Sequence, residues 1–220
     1  MFAKPGYVAK EYSEGKRKKY FSPVSLFLIG IVIYLIFPLL QGMNISFANH
    51  LNNNRELHFY AIPNWAEHKA AAEHISLAQL AEKFDHVSPK FSKILLIVLI
   101  PLSALNLALL YRRKRLYYFD HLMMAAEFNS FYLYFSFLIL PLLTILFSKI
   151  SGFNLDYGDT IFFLSLQAAI VLIVIALAFR RFYEVRFVTG LLKGILFIVM
   201  FLLMLHIYRI ILFSVVMLFI

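Results

Sequence analysis

Five apolar segments, each long enough to cross the hydrocarbon core of a bilayer, constrain this chain more than any other feature. A membrane-spanning helix needs about 20 residues. Lipid offers the backbone no hydrogen-bond partners, so segments of this kind cross as helices. We therefore predict an all-α membrane protein with five transmembrane helices. The segments lie near residues 23–40, 94–111, 129–148, 160–179 and 191–213.

The composition agrees with this prediction and excludes other classes of protein. Hydrophobic residues make up 62% of the 220 residues and charged residues only 15%, whereas about 25% of the residues in soluble domains are charged. A soluble enzyme or a nucleic-acid-binding domain is therefore excluded. The chain has no cysteine, which rules out disulfides and thiol catalysis. The length predicts a single integral membrane domain over residues 1–220.

The distribution of Lys and Arg predicts the orientation of the chain. Fourteen of the 21 basic residues lie in the basic N-terminal segment 1–22, the second connection and the fourth connection. The other connections hold six basic residues and seven acids. Because basic loops stay in the cytoplasm, we expect a cytoplasmic N-terminus and a periplasmic C-terminus. The expected location is the bacterial cytoplasmic (inner) membrane, with multiple passes.

The first periplasmic loop, about residues 41–93, is the longest connection. Apolar residues recur at helical spacing from Ala70 to Phe84, and Pro89 follows them, which predicts one amphipathic helix at about 65–84 that ends before Pro89. None of the loop histidines forms the i, i+4 pair of a helical zinc site, so we expect no metal and no cofactor. These histidines are His50, His58, His68, His74 and His86.

Two basic clusters adjoin membrane segments on the expected cytoplasmic face. One interpretation is orientation alone, since positive charges at this face set the topology and attract anionic lipid loosely. The other is a composite pocket for a phosphate-bearing headgroup or nucleotide, because arginine provides forked donors. The candidate lipid or phosphate contacts are Lys16, Arg17, Tyr20, Arg112, Arg113 and Arg115.

Polar side chains gather at the start of the third apolar segment. Asp120 and Glu127 share one helical face, and Asn129 lies on the far side. If residues 116–128 form an interfacial helix, these groups meet water. If they enter the bilayer, they are the best candidate for a functional site, because ionisable groups are costly at membrane depth. The candidate intramembrane polar cluster is Asp120, His121, Glu127, Asn129, His206 and Arg209.

The last apolar segment fits the membrane in two registers. With Lys193 at the inner interface, Arg209 lies about 24 Å away, near the outer interface, and residues 210–220 need cover beyond the bilayer. Alternatively, the span covers about residues 201–220 and Arg209 is buried in the membrane. The expected carboxylate partner of Arg209 is Asp156 or Asp159 in the first register and Glu127 in the second.

Two stretches of the chain carry short motifs. The first runs through Pro5-Gly6-Tyr7-Val8-Ala9-Lys10-Glu11-Tyr12, Gly15-Lys16-Arg17, Tyr20 and Pro23. The second runs from Leu99-Ile100-Pro101 through Tyr111-Arg112-Arg113 and Tyr118 to Asp120-His121-Leu122 and Ser130-Phe131. Together they resemble the bacterial domain-of-unknown-function 3667 membrane family, over about half of the chain. Both stretches fall on the same expected membrane face.

This resemblance implies an inner-membrane protein from a family with no established activity. The chain departs from the family pattern at two places. Glu127-Phe128-Asn129 stands where the family has an element of the His-x-His type, and the family's usual N-terminal cysteine zinc ribbon is missing. The resemblance therefore brings no histidine metal site to this chain.

The sequence contains no Walker loop, dinucleotide-binding loop, nucleophile elbow or HExxH motif. We expect a non-catalytic accessory, assembly or scaffold subunit of a larger membrane complex. Its expected partners are membrane lipids, mainly anionic ones, and other membrane protein subunits, with no nucleic acid. The alternative is a small transporter or a membrane protein that binds anionic lipid or anions. An enzyme that acts on a lipid phosphate is a third hypothesis.

Overall fold

The computed structural model describes residues 2–16, 20–36, 45–56, 60–114, 116–151 and 161–220. All the regular structure within these ranges is helical, which confirms the predicted all-α class. The α-helices are interrupted by a 3₁₀ turn at Leu96–Val98 and a π-helical turn at Phe135–Ile139. The helices are α1 (Tyr7–Ser13), α2 (Pro23–Ile36), α3 (Phe47–Glu56), α4 (Ala61–Ala72), α5 (Leu77–Leu95), α6 (Leu99–Leu110), α7 (Tyr118–Tyr134), α8 (Leu140–Ser151), α9 (Ile161–Phe182) and α10 (Phe187–Phe219).

Several of these helices have the length and hydropathy of membrane spans. Three qualify within the described ranges: Tyr118–Leu146, Ser165–Phe182 and Phe187–Phe219. A fourth is added if the bent pair Leu77–Ser92 and Leu96–Leu110 counts as one span. The membrane-helix character is therefore confirmed, with three to four candidate spans in the described ranges, and the count of five stays a prediction. The predicted first span is apolar over Pro23–Tyr34, and its end at residues 37–40 lies outside the described residues.

The third predicted span begins at Tyr118 rather than near residue 129. Asp120 Oδ2 accepts a hydrogen bond from the Tyr117 N–H at 3.0 Å, and this contact caps the start of α7. Residues 118–128 therefore belong to the same continuous helix as the apolar run. Further along, Pro141 cannot supply the N–H that would bond the Phe137 carbonyl, and the π-helical turn lies at this point.

The helices form two compact units, and α7 lies at the centre of the first. This unit comprises Met1–Leu40 and Ile97–Met204. Since α7 packs against α1, α2, α6 and α9, nearly all its side chains from Asp120 to Phe131 are buried. The Phe128 ring also meets the rings of Phe197 and Phe201 of α10 edge-on.

Two glycines let α10 approach α9 closely. A Cβ atom on Gly190 would lie 2.9 Å from the Ala176 carbonyl oxygen, and one on Gly194 would lie 3.2 Å from Cγ2 of Ile175. Small residues four positions apart permit such close contacts between membrane helices. The G-x-x-x-G spacing is visible in the sequence, but the predictions above did not use it.

The second unit comprises Gln41–Leu96 and Leu205–Ile220. In this unit α3, α4 and α5 pack around the last turns of α10. The Phe213 ring touches the rings of Phe47, Trp65 and Phe84. The end of α10 thus forms the centre of the core that the loop helices bury. The α10 residues in this core are Leu212, Phe213, Val216 and Met217.

The amphipathic helix predicted at about 65–84 is instead two helices, α4 and α5. The chain turns at His74, whose φ of 54° is left-handed. Ser76 then starts α5 with a capping box. Its hydroxyl accepts from the Gln79 N–H at 3.2 Å, and the Gln79 side chain accepts from the Ser76 N–H at 3.0 Å. Pro89 does not end the helix but lies within α5, at the loss of one backbone hydrogen bond.

Candidate functional site

The N-terminal segment is anchored on a buried carboxyl group of α7. Glu127 is only 2% exposed. Its Oε1 accepts from the Gly6 N–H at 2.8 Å, and its Oε2 accepts from the Ala9 N–H at 2.6 Å. N–H groups at the start of a helix have no partners within that helix. Glu127 therefore supplies the missing acceptors for α1.

The backbone at Gly6 requires glycine for two reasons. Its φ of 75° lies in the left-handed region, which side chains with a Cβ disfavour. A Cβ there would also lie 2.6 Å from the carbonyl oxygen of Ala178 on α9. The cavity that remains between Glu127 and Ala178 has a volume of about 10 Å³. The docked segment thus fills most of the space between α7 and α9.

Two basic side chains add polar contacts to the docked segment. Arg181, near the end of α9, donates to the Pro5 carbonyl. Lys10 Nζ donates to Oε1 of Glu184 at 2.6 Å, and this hydrogen bond lowers the pKa of the Glu184 carboxyl. Because the Lys10–Glu184 pair is exposed, it stabilises the fold little. The buried bonds to Glu127 are therefore the main polar anchor of α1.

His121 belongs to an aromatic cluster beside this anchor. Its Nδ1 lies 2.9 Å from the Tyr183 hydroxyl, and the Tyr183 ring stacks on that of Tyr111 with centroids 3.6 Å apart. Burial raises the pKa of Tyr183, which keeps its hydroxyl neutral at ordinary pH. The Tyr111 hydroxyl has no hydrogen-bond partner in the part of the chain that the structure describes.

Lys193 of α10 lies directly over this cluster. Its Nζ is 3.9 Å from the centroid of the Tyr111 ring and donates to the Leu110 carbonyl at 3.0 Å. The ammonium group thus satisfies one of the carbonyls left free at the end of α6 and makes a cation–π contact. From the sequence, Lys193 was predicted only to add to the charge bias and to mark the inner interface in one register of the last segment.

Asn129 faces another helix than Glu127 does. Its Nδ2 donates to Ser103 Oγ of α6 at 3.0 Å and to the Ala125 carbonyl at 2.8 Å. The next residue, Ser130, donates to the Ala126 carbonyl at 2.7 Å. Asn129 therefore links α7 to α6, whereas Glu127 links α7 to α1.

The residues predicted to contact lipid or phosphate at the cytoplasmic face are partly paired with other side chains and partly exposed. Lys16 Nζ pairs with Glu11 at 2.9 Å and with Glu14 at 3.3 Å. The Tyr20 hydroxyl donates to that of Tyr7 at 3.4 Å. Lys16 is thus already paired with acids of its own segment, and a pocket shared by the two basic clusters stays a prediction. Of the other candidates, Arg112 and Arg113 are exposed in the turn after α6, and Arg17 and Arg115 lie outside the described residues.

The two remaining cluster residues, His206 and Arg209, are half-buried in the second unit. There His50 is 1% exposed, and its ring packs against Phe84 and Phe213. Burial, with the positive charges of Arg209 and His206, lowers the pKa of His50 to about 4. His50 is therefore a neutral core residue of this unit.

The structure describes only one of the three carboxylates predicted to pair with Arg209. Asp156 and Asp159 lie outside the described residues. Both carboxyl oxygens of Glu127 accept from the backbone of the N-terminal segment. The structure thus gives Glu127 a partner that the sequence analysis did not consider.

The anchored segment is also the part of the chain that resembles known sequences. Residues 1–35 match the model of the family described as protein of unknown function (DUF3667). This match confirms the resemblance over the first of the two stretches, which contains Gly6 and α1. The second stretch lies outside the match, but it surrounds Glu127, so the two stretches meet in the first unit. No curated protein and no solved structure matches the chain.

Proposed function

We propose that this protein is a non-catalytic accessory, assembly or scaffold subunit of a membrane complex. The main support is the apolar surface that the chain leaves uncovered. Only 33% of Ser165–Phe182 and 28% of the most apolar part of Phe187–Phe219 are buried. In the membrane, the exposed apolar surface of α9 and α10 must be covered by lipid or by another protein. We assign part of this surface to another subunit of the complex.

The proposed location is the bacterial inner membrane, with five spans, a cytoplasmic N-terminus and a periplasmic C-terminus. The bias of Lys and Arg toward one set of connections supports this topology. The second unit supports the register that places Lys193 at the inner interface. In that register the end of α10 needs cover beyond the bilayer, and the burial of Leu212 and Val216 by α3, α4 and α5 would provide this cover.

Cysteine labelling tests the topology cleanly, because the chain contains no cysteine. Arg113→Cys and His68→Cys each place one thiol at an exposed position. A membrane-impermeant maleimide added to intact cells is expected to label His68→Cys only. Both variants are expected to react after the membrane is opened. Labelling of Arg113→Cys in intact cells would overturn the proposed orientation.

Site-specific photocrosslinking in native membranes tests the subunit role. Val199 and Leu203 are exposed and four residues apart on α10. Leu143 of α8 is a similarly exposed apolar position on another helix. A crosslinker on the α10 positions is expected to give one discrete protein adduct, and the same protein is expected to co-purify in mild detergent. A monomer that forms only lipid adducts at all three positions would refute the subunit role.

One observation favours a second candidate function, the binding of anions or anionic lipid. Lys193 is held in place beside the basic turn that follows α6.

A further inference from the structure

Lys193 is the fixed member of a group of cations in the first unit. The bond from its Nζ to the Leu110 carbonyl and its contact with the Tyr111 ring hold the ammonium group at the end of α6. A lysine on a free surface loses side-chain entropy when it binds an anion. Because Lys193 is already held by these contacts, part of that entropy is lost before any ligand arrives.

Arg113 and Lys114 bring two more charges to the same place. The Lys114 N–H donates to the Tyr111 carbonyl at 2.8 Å, so the turn folds back onto the end of α6. The charges of both residues repel that of Lys193. Among the described residues, none of the three cations has a carboxylate within 4.0 Å. Glu184, whose carboxyl interacts with Lys114 at longer range, is bonded to Lys10.

Exposed apolar side chains adjoin these cations. Leu196 lies three residues after Lys193 on α10, so the two side chains are neighbours on the helix surface, and Leu109 lies beside Leu110 in the last turn of α6. Leu109 and Leu196 are both about half exposed. A free phosphate ion would gain nothing from these leucines, whereas the acyl chains of a phospholipid pack against them.

We propose that Arg113, Lys114 and Lys193 form a binding site for the phosphate of an anionic phospholipid, with Leu109 and Leu196 beside its acyl chains. Repulsion among the three cations is relieved when a phosphate joins them, and arginine offers it forked donors. The site differs from the pocket predicted from sequence, since Lys16 is paired with acids and Lys193 takes its place. It depends on the membrane location proposed above and not on the subunit role.

The test uses the full chain in nanodiscs that contain phosphatidylglycerol and phosphatidylcholine, with retained lipid measured by native mass spectrometry. The charge-removing variant is Arg113→Gln/Lys114→Gln, because both residues are exposed and neither holds a helix. The matched control is Arg180→Gln/Arg186→Gln, which removes two exposed charges from the same expected face. The test variant is expected to weaken phosphatidylglycerol binding roughly 10-fold for each charged hydrogen bond lost, and the control is expected to change it little.

Other outcomes overturn the proposal. Equal weakening in the control would mean that the face attracts anionic lipid only through its overall charge. Equal retention of phosphatidylcholine would mean that no anionic headgroup is selected. A second arm titrates inorganic phosphate into protein in phosphatidylcholine alone. Binding there that is lost in the test variant would assign the site to free phosphate and overturn the lipid assignment. None of these results affects the crosslinking test of the subunit role.

Discussion

The backbone N–H of Gly6 donates to Oε1 of Glu127 at 2.8 Å, although the two residues lie 121 positions apart in the sequence. The bond is buried, and with the neighbouring bond from Ala9 it uses both carboxyl oxygens. It joins the segment that matches the DUF3667 model to the central helix of the first unit. The position of α1 therefore depends on a side chain that the local sequence does not contain.

Replacing Glu127 is expected to release α1. Glu127→Ala removes both acceptors and leaves the Gly6 and Ala9 N–H groups unpaired, each at about 1 kcal/mol or more. Amide hydrogen exchange at these two residues is expected to accelerate roughly 5-fold or more, and Glu127→Gln, which keeps one acceptor oxygen, is expected to fall between. Glu184→Gln, which weakens only an exposed pair, serves as the control. Unchanged protection in Glu127→Ala would contradict the anchoring role.

The two glycines with positive φ in the N-terminal segment allow a matched comparison. Gly6 and Gly15 have φ angles of 75° and 89°, so alanine costs about 1–2 kcal/mol of backbone energy at either position. Only at Gly6 does a Cβ clash with Ala178, since nothing lies within 4 Å of a Cβ on Gly15. Gly6→Ala is therefore expected to expose residues 4–13 to protease, and Gly15→Ala is not. Similar cleavage of the two variants would refute the close docking on α9.

Much of the fold follows from hydropathy alone. The apolar runs predict α6, α9 and most of α10, because lipid leaves the backbone no alternative to a helix. The start of α7 was missed because Asp120 caps it from within an apparently polar stretch. The break between α4 and α5 was missed because the capping box of Ser76 and Gln79 interrupts a continuous apolar stripe.

The contacts between Glu127 and the N-terminal segment were harder to predict from the sequence. The residues polar enough to mark a site were identified, but their partners were not, because a partner 121 positions away is set by tertiary packing. One local signal existed. The start of α1 carries glycine at the N-cap, without the Ser, Thr, Asp or Asn that usually caps a helix. The free N–H groups of such a helix bond to water or to acceptors from elsewhere in the protein.

His50 is expected to make the second unit sensitive to acid. Its pKa is about 4 in the folded protein, lowered by burial and by Arg209 and His206, against about 6.5 in an unfolded chain. Below pH 6.5 the unfolded chain takes up a proton that the folded chain does not. Stability is therefore complete above pH 6.5 and falls toward pH 4, by up to about 3 kcal/mol. Thermal unfolding in detergent between pH 7 and pH 4 measures this loss.

Two variants isolate the contribution of His50 to that pH dependence. His50→Leu has no titrating group and is expected to lose less stability than the wild type between pH 7 and pH 4. His74→Gln removes an exposed histidine of the same unit and is expected to follow the wild type. If the three proteins lose stability in parallel, the acid sensitivity belongs to other groups.

The glycines of α10 are expected to respond differently to the same substitution. Alanine favours a helix over glycine by about 1 kcal/mol, so the contacts of the new methyl group decide the outcome. At Gly190 the methyl would meet the Ala176 carbonyl oxygen at 2.9 Å, and a backbone atom of α9 cannot move aside alone. At Gly194 it would meet side-chain carbons of Ile175 and Leu172 at 3.2 and 3.3 Å, which can shift. Gly190→Ala is therefore expected to lower the unfolding midpoint in denaturing detergent, and Gly194→Ala to leave it equal or higher. The reverse order would show that α9 and α10 do not pack through Gly190.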